Sequence, residues 1–466
     1  MQRGTRAQYT LLATMLLILG VTLLYPILLT VWGGFTATGP DGGFTLRYVE
    51  LVFRDQAMRT GLLNALAVAV VTTALSTLIA FPLGLVSARF EYHAKKLWDA
   101  AVLVPLVLPP FVGAVGMKAI LGREGALNAL LGTDWDILGA NRFWGVVIAL
   151  ALHLYPIMYL NLTASLANLD PSLNEAAGIA GAGPIRRFFR VTLPLVRPGM
   201  FAGGSIVLIW AFTELGTPLV FDYSEVTAVQ IFHGIKEMDA SAQPYALTVV
   251  MLALAIVMYI TGKFTLGREG PAASTRAFRA QETQKLGARG SLLAGLLFGF
   301  VSLIALVPHA GVVLMSFAEQ ESWYSSVLPA QWTTANYANA LEHPLVFGSI
   351  SNSLILALSA AGIDVIVGIA IGYLVVRTKV RGRTLLDGLA MLPLAVPGLV
   401  MAFGFVAASL RWPFGAGDPL EGAIDIVGTN PNPFPLLIIA YAVRRLPYVV
   451  RATIAGLSQV GVDLEE

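Results

Sequence analysis

The chain has 466 residues, of which 56% are hydrophobic and 12% are charged, and its formal net charge is +2. Soluble globular chains carry about 25% charged residues, so the composition excludes an ordinary soluble protein, and the small net charge implies no nucleic-acid-binding surface. The sequence contains no cysteine, which also excludes disulfides, thiolate metal sites and iron–sulfur clusters.

Ten apolar runs along the chain are each long enough to cross a bilayer as a helix. They lie near 10–33, 62–86, 98–121, 142–166, 199–221, 244–262, 291–317, 351–376, 385–410 and 434–456. The first run follows a basic start, as in a signal peptide, but its apolar core is longer than the roughly 7–15 residues of secretory signals. We therefore interpret it as a retained first helix and predict an all-α integral membrane protein.

Lysine and arginine are concentrated in alternate loops. Arg3 and Arg6 precede the first run, and the loops after runs two, four, six and eight hold most of the other basic residues. The intervening loops hold few. Because basic loops stay on the cytoplasmic side of a membrane, the sequence predicts a multi-pass protein whose N-terminus is in the cytoplasm.

The loop between runs four and five is unlike its neighbours. Asp170 and Pro171 are typical of a helix start, and small or apolar residues then recur at helical spacing on one face. Glu175 lies off that face, and the helix is predicted to break at Gly181. A face of small residues permits close approach to a partner, and a projecting carboxylate offers a specific polar contact. The alternative is an ordinary amphipathic helix at the membrane surface.

Residues 263–290 form the one long polar stretch of the chain and are predicted to be a cytoplasmic linker between a first half, 1–262, and a second half, 291–466. When the first half is shifted by 288 positions, the rarer residues of the membrane segments coincide. The pairs include Asn64 with Asn352, Arg89 with Arg377, Asp99 with Asp387, Pro105 with Pro393, Pro109 with Pro397, and Gly116 with Gly404. Six runs precede the linker, an even number, so we predict parallel repeats with a substrate path between them.

Four of the matched residues are the prolines Pro105, Pro109, Pro393 and Pro397. A proline within a helix leaves a carbonyl without its usual donor and bends the helix. Bent helices at matched depth would suit the gate of an alternating-access transporter. The alternative is a static kink that serves only packing.

The second half contains four runs where the first contains six. With a shift of 291 positions, Glu466 coincides with Glu175, so the chain ends on the first residue of a second copy of the 174–198 motif. We expect the native protein to continue through two further spans, roughly 80–100 residues.

The motif itself points to a known family. It contains, in order, Glu175-Ala176-Ala177, Gly181, Val191 and Leu193-Pro194. This spacing resembles the EAA loop of permease subunits from type I binding-protein-dependent ABC importers, and only Val191, in place of the usual Ile, departs from the pattern. Two permease halves fused in one chain resemble the ferric-iron, thiamine and phosphonate uptake permeases. The resemblance implies the type I permease fold, with two parallel six-helix repeats of which the second is truncated here.

In that family the EAA loop forms a coupling helix that docks into an ATP-binding subunit. The resemblance implies that Glu175, Ala176, Ala177 and Gly181 dock in this way, and that Glu466 begins a second docking element. It further implies two ATP-binding subunits that hold ATP and Mg²⁺, and a periplasmic or lipid-anchored substrate-binding protein. The expected location is the bacterial cytoplasmic (inner) membrane, in contact with its lipids.

The chain contains no G-x-x-x-x-G-K-S/T loop, and its only Gly-Lys pair, Gly262-Lys263, lacks the upstream glycine. ATP chemistry needs such a phosphate-binding loop. We therefore predict that this chain has no ATPase site, no catalytic residue and no bound metal or cofactor of its own.

Ionisable residues within membrane spans are rare and costly, so each is a functional hypothesis. The five candidates are His153, Glu214, Asp364, Arg444 and Arg445. His153 and Arg444 hold repeat-equivalent positions, which would suit an anionic substrate such as a phosphonate or an anion-ligated ferric ion. The alternatives are structural: an ion pair of Glu214 with Arg445, or a backbone carbonyl bound to His153. Glu214 alone would suit a cation, including a polyamine.

Two other classes compete with the importer interpretation. A secondary transporter driven by an ion gradient also has repeats and intramembrane charges, but its ion sites are usually lined by acids, and only Glu214 and Asp364 are candidates. A membrane-embedded enzyme would need clustered catalytic groups, whereas the five histidines are scattered. We predict the permease of an ATP-driven importer for ferric iron or a small anion, with a polyamine or thiamine as the alternative substrate.

Overall fold

The computed structural model describes residues 5–36, 43–138, 142–235, 241–267, 284–415, 417–424 and 432–459. The helices before the linker are α1 (Arg6–Leu19), α2 (Tyr25–Gly34), α3 (Arg47–Arg54), α4 (Gln56–Arg89), α5 (Lys95–Leu103), α6 (Pro110–Leu121), α7 (Ala126–Leu131), α8 (Phe143–Ala167), α9 (Pro171–Ile179), α10 (Pro184–Arg187), α11 (Leu193–Phe212), α12 (Gly216–Val220), α13 (Thr227–Gly234) and α14 (Gln243–Thr265). Those after it are α15 (Ala288–Phe317), α16 (Ala335–Glu342), α17 (Pro344–Arg377), α18 (Arg383–Ala395), α19 (Gly398–Ser409) and α20 (Phe434–Gln459).

Three short segments of tighter or wider helix join these elements. π-helical turns cover Gly20–Leu24 and Phe188–Thr192, and a 3₁₀ turn covers Val104–Leu106. Two short strands, β1 (Phe90–Glu91) and β2 (Gln284–Lys285), pair in parallel.

Seven helices in the described part of the chain are long and apolar enough to cross a membrane, and the count rises to nine if each of two bent pairs is one span. The seven are Arg6–Gly34, Gln56–Arg89, Phe143–Ala167, Pro184–Phe212, Gln243–Thr265, Ala288–Phe317 and Pro344–Arg377. The bent pairs are Lys95–Leu106 with Pro110–Leu131, and Arg383–Leu394 with Gly398–Ser409. All nine overlap runs predicted from hydropathy, which confirms the all-α membrane fold.

Two predicted runs differ from the helices that form. The tenth run becomes α20, but this helix carries Arg444, Arg445 and Arg451, and it is not among the nine apolar spans because these charges lower its hydropathy. The fifth run was expected to continue to residue 221. Its helix instead starts at Pro184 and ends at Phe212, where the amide of Thr213 closes the last turn on Ile209 and Trp210.

One compact unit, the first unit, comprises Met1–Arg59, Gln230–Ala255 and Asn339–Glu466. Helices α17 and α20 lie side by side within it, and α1 packs on them through Leu12, Met15 and Leu19. These three side chains are at most 6% exposed, so burial of apolar surface holds the N-terminal helix in this unit.

The second unit comprises Thr60–Val229 and Ile256–Ala338. Helix α8 packs against α6 and α11, and 72% of its apolar window is buried. Tyr155 and Leu162 of α8 share a core with Phe298 of α15, and all three side chains are fully buried. A span from beyond the linker is thus part of this unit's core.

Glycines at matched positions permit close helix contacts in each unit. In the second unit, a Cβ added to Gly116 of α6 would overlap the carbonyl oxygen of Pro308 in α15. In the first unit, a Cβ added to Gly404 of α19 would lie 2.6 Å from the carbonyl oxygen of Pro26 in α2. Small residues let membrane helices approach closely, so both contacts depend on glycine.

Candidate functional site

The first part of the predicted coupling motif lies on a short helix, α9, outside the apolar spans, and the motif continues into the span Pro184–Phe212. Helix α9 begins after Asp170, whose Oδ1 accepts a hydrogen bond from the backbone N of Ser172 at 2.9 Å. This contact satisfies one of the free amides at the helix start, and Pro171 occupies the first turn, where its missing N–H costs nothing.

The end of α9 is a Schellman motif built on Gly181. The amide of Gly181 donates to the carbonyl of Gly178, and the amide of Ala182 donates to the carbonyl of Ala177, both at 2.9 Å. Gly181 has a φ of +80°, a left-handed conformation that costs a residue with a side chain roughly 1–2 kcal/mol. The glycine of the sequence motif is therefore the residue that ends the helix.

A cation lies beside the C-terminus of α9. The side chain of Arg187 passes over Gly178, where an added Cβ would lie 3.3 Å from its Nη1 atom. Positive charge is favourable at a helix C-terminus because the carbonyls there carry partial negative charge. Arg187 thus helps to fix the fold of the turn between α9 and α10.

Part of this element is an exposed, partly apolar surface. Ile179 is 90% exposed, Ile185 is 76% exposed and Leu173 is 37% exposed, and Glu175 and Ala176 are also exposed. We call these five exposed residues, four on α9 and Ile185 on α10, the docking face. Exposed apolar side chains are a feature of interaction surfaces.

The segment that follows is fastened to α4. The ring of Phe188 meets that of Phe81 edge-on, with centroids 5.4 Å apart. The Nη2 atom of Arg89, the last residue of α4, donates to Oγ1 of Thr192 at 3.1 Å. A displacement of α9 would therefore be transmitted to a membrane span.

The structure thus places Glu175, Ala176, Ala177 and Gly181 on one short helix and its cap. Glu466, the predicted start of the second docking element, lies outside the described residues. The docking role of all five stays a prediction.

The first bent pair contains two of the predicted prolines. Lys95–Leu106 and Pro110–Leu131 meet at 95°. Pro109 has no amide hydrogen, so the carbonyl of Pro105, four residues earlier, has no helical donor. The Nδ1 atom of His153 in α8 lies 2.9 Å from that carbonyl oxygen. In this contact Nδ1 carries the proton, because a carbonyl oxygen can only accept a hydrogen bond.

The second bent pair repeats the arrangement with a different side chain. Arg383–Leu394 and Gly398–Ser409 meet at 103°. Pro397 leaves the carbonyl of Pro393 without its donor, and Nη1 of Arg444 in α20 donates to that oxygen at 2.9 Å and to the oxygen of Val396 at 3.1 Å. In each unit, a side chain from a neighbouring helix binds the carbonyl that the proline frees.

These contacts bear on the roles predicted for His153 and Arg444. Sequence analysis left two interpretations open for His153, and the structure shows one of them, a contact with a backbone carbonyl. Arg444 makes the equivalent contact in the first unit. A contact of either side chain with substrate stays a prediction.

Glu214 does not lie within a helix, which differs from the expectation that it belongs to the helix of the fifth run. It occupies the gap between α11 and α12, because α11 ends at Phe212. Its Oε1 accepts from the backbone N of Thr217 at 3.3 Å, so the carboxylate caps the start of α12.

Asp364 and Arg445 belong to the first unit. Asp364 of α17 is 3% exposed, and within the described ranges its Oδ1 atom has no hydrogen-bond partner. The guanidinium of Arg445 in α20 lies 6.0 Å from the ring centroid of Tyr448.

A second histidine was also overlooked. His309 of α15 lines the same small cavity as His153, between Pro105, Pro109 and Pro308. The sequence shows His309 only as one of several scattered histidines, because α15 follows the linker and nothing local indicates its neighbour. Only the packing of α15 into the second unit brings the two rings to one cavity.

Comparison with known proteins identifies a matching family and several relatives. Residues 80–265 match the family described as the binding-protein-dependent transport system inner membrane component. The putative ferric transport system permease protein FbpB 1 of Haemophilus influenzae is 29% identical over 403 residues, which cover 84% of this chain and 60% of that protein. The ferric transport system permease protein FbpB of Actinobacillus pleuropneumoniae is 28% identical and is covered to 55%. The chain therefore spans little more than half the length of these two relatives.

A shorter relative is covered more completely. The spermidine/putrescine transport system permease protein PotB of Haemophilus influenzae is 32% identical over 211 residues, which cover 43% of this chain and 73% of that protein. The family match includes the whole of the 174–198 motif and the Schellman cap at Gly181. The chain belongs to the family of inner-membrane components of binding-protein-dependent transport systems.

Proposed function

We propose that this chain is the permease subunit of an ATP-driven importer and that α9 is the helix through which a separate ATP-binding subunit drives it. The observation that carries the proposal is the docking face. Leu173, Ala176 and Ile179 are exposed on the same helix as Glu175, and that helix is capped at both ends.

The connection from α9 to α4 supports the coupling role. A docking helix can drive transport only if its movement reaches the membrane spans. The Arg89–Thr192 hydrogen bond and the Phe81–Phe188 ring contact supply that connection.

Charge reversal on the docking face tests this proposal. Glu175→Arg would leave a misplaced cation against the partner, and we expect ATP-dependent uptake by the assembled importer to fall roughly tenfold or more. Glu342→Arg, on the exposed surface of α16, makes the same charge change away from the face and serves as the control. Normal uptake by the Glu175→Arg variant, present at the normal level in the membrane, would contradict the coupling role.

The orientation and partners follow from the same proposal. We infer that the N-terminus and the loop with α9 are in the cytoplasm, where two ATP-binding subunits would bind, each holding ATP and Mg²⁺. A periplasmic or lipid-anchored binding protein would deliver substrate to the opposite side of the inner membrane. The basic residues Arg186, Arg187 and Arg190 around α10 support this orientation.

Ferric iron is the substrate that we propose first. The relatives that match over 84% of this chain are described as ferric transport permeases. The polyamine permease PotB, at 32% identity, supports spermidine or putrescine as the second candidate. A small anion such as a phosphonate, and thiamine, remain expectations from the sequence alone.

Uptake by cells separates these substrates. We expect cells that produce the complete importer to accumulate radiolabelled ferric iron, and cells without it to lose that uptake. Uptake of spermidine with no uptake of iron would overturn the iron assignment and leave the coupling proposal intact.

The broken helices are proposed as the gate of the substrate path. His153 and Arg444 bind the carbonyls freed at the two breaks, so they can stabilise one bent state of each helix. Pro105, Pro109, Pro393 and Pro397 would set where each bend occurs.

A further inference from the structure

A long groove lies in the second unit between the start of α5 and the side of α15. Its mouth is polar and is formed near β1 and β2, where Glu91, His93 and Lys285 line it. Its body follows α15 from Ser291 to Leu303 and is apolar. The groove therefore changes from polar to apolar along its length, as a membrane lipid does.

The mouth lies at the membrane face that carries the 174–198 loop. Glu91 follows Arg89 at the end of α4, and Arg89 contacts Thr192 of that loop. The groove thus begins at headgroup height and enters the leaflet on that side.

The floor of the groove is made by two glycines and one indole ring. Gly295 and Gly299 are one turn apart on α15, and Cβ atoms added to them would lie 3.8 Å and 3.3 Å from the ring of Trp98. Leu296 and Phe300 flank the glycines and are 61% and 65% exposed. The missing side chains let the indole of Trp98 pack against α15, and Trp98 and the two glycines together line a trough with apolar walls on the α15 side.

The length of the trough matches one leaflet of a bilayer. Ser291 to Leu303 corresponds to roughly 18 Å of α-helix, given the rise of about 1.5 Å per residue. The hydrocarbon core of a bilayer is about 30 Å thick, so one leaflet contributes roughly 15 Å. An acyl chain that starts at the mouth would reach the bilayer midplane along this trough.

Lys285 places a positive charge at the mouth. Glu91 is already paired, since its carboxylate lies 3.4 Å from Nζ of Lys95. Lys285 is held beside the mouth because β2 pairs with β1 and the amide of Leu286 donates to the carbonyl of Glu91 at 2.9 Å. Lys285 is exposed, and no described residue pairs with it. Basic groups at this height attract anionic lipid headgroups.

We propose that this groove binds one anionic phospholipid. Its phosphate lies beside Lys285 and His93, and one acyl chain lies in the trough over Trp98. The inference needs only that α4 and α15 span a bilayer, and it is independent of the substrate and of the coupling role of α9.

Native mass spectrometry of the full chain tests the proposal. The protein is released from nanodiscs that contain equal amounts of phosphatidylglycerol and phosphatidylcholine, and the retained lipids are weighed. We expect one phosphatidylglycerol per chain to survive release.

Gly295→Leu should abolish its retention, because a Cβ at this position meets only ordinary contacts and the longer side chain then fills the trough. Lys285→Glu should lower the preference for phosphatidylglycerol roughly fivefold.

Two matched variants control for general effects. Gly362→Leu adds the same side chain to an open glycine of α17, where nothing lies within 4 Å, and Lys379→Glu makes the same charge change in the loop after that helix. Both should retain lipid as the wild type does, and all variants should share its thermal unfolding temperature. Equal retention by Gly295→Leu and Gly362→Leu would overturn the proposal. Equal retention of the two lipids by the wild type would also overturn it. If Gly295→Leu does not fold, the exposed Lys285→Glu variant still tests the proposal through the lipid preference.

Discussion

The Nδ1 atom of His153 lies 2.9 Å from the carbonyl oxygen of Pro105, the group that Pro109 leaves without a helical donor. Arg444 makes the corresponding contact to Pro393 in the other unit. A backbone carbonyl at membrane depth costs several kcal/mol if it has no partner. Each bent helix is therefore stabilised by a side chain from a neighbouring helix. Both bends bind the freed carbonyl in this way, one through a histidine and the other through an arginine.

Loss of either side chain should destabilise its bend. We expect His153→Ala and Arg444→Ala to lower the free energy of unfolding by roughly 1–3 kcal/mol each, because a buried acceptor loses its donor. His153→Gln and Arg444→Lys keep a donor and should recover part of the loss. Thermal unfolding of the purified protein measures the effect.

His309→Ala is the control for the histidine. Its ring lines the same cavity but is not the partner of the Pro105 carbonyl. If His153→Ala left the unfolding temperature unchanged while it raised the KM for substrate, His153 would be a substrate contact and the stabilising role would be wrong.

The cap at the end of α9 gives a second prediction. Gly181→Ala should raise the free energy of the left-handed conformation by roughly 1–2 kcal/mol and so loosen the end of the docking helix. We expect weaker stimulation of ATP hydrolysis when the chain is assembled with its ATP-binding subunit. Gly183→Ala is matched to it, since both glycines have open space around them but Gly183 has a φ of −66°. Equal activity of the two alanine variants would contradict the role of the cap.

Close packing of α6 on α15 gives a third prediction. Gly116→Ala places a methyl group where the carbonyl oxygen of Pro308 lies, and overpacking of this kind costs roughly 1–3 kcal/mol. Gly113→Ala, one turn earlier, meets the same proline at an ordinary 3.5 Å. The thermal unfolding temperature should fall for the first variant and stay within error for the second. A fall of equal size in both would show that the close approach is not what matters.

The sequence predicted the spans well because the bilayer sets their length and apolar content. It also indicated where the helices bend, because prolines such as Pro109 and Pro397 can be read directly from the sequence. The helix pairs on either side of these two prolines meet at 95° and 103°. The partners of the freed carbonyls could not be predicted. His153 lies 48 residues from Pro105 and Arg444 lies 51 residues from Pro393, and a charged or aromatic residue in a span gives no sign of which carbonyl it binds.

Helix pairing was the other feature that the sequence did not reveal. The predicted halves follow chain order, whereas the two compact units combine segments from both sides of the linker. Contacts at Gly116 and Gly404 select these partners through backbone approach, and hydropathy carries no information on such fit. The docking face was located by its motif, but the exposure of Ile179 and Ile185 required the structure.

The link between α9 and α4 gives a fourth prediction, which separates docking from transmission. Arg89→Ala removes the hydrogen bond to Thr192 and leaves the docking face intact. We expect the ATP-binding subunit to co-purify as before, while uptake per ATP hydrolysed falls several-fold. Loss of co-purification would show instead that Arg89 is needed to fold the loop.

Site-specific crosslinking shows whether α9 docks onto an ATP-binding subunit. The chain has no cysteine, so Ala176→Cys introduces a single thiol on the docking face, and Leu328→Cys introduces one in an exposed loop of the same unit. Each is labelled with a photoactivatable maleimide in membranes that contain the complete transport system, and the products are identified by mass. If α9 docks in this way, a crosslink forms from position 176, and not from 328, to a protein that carries a phosphate-binding loop for ATP. A crosslink to lipid alone from position 176 would contradict it.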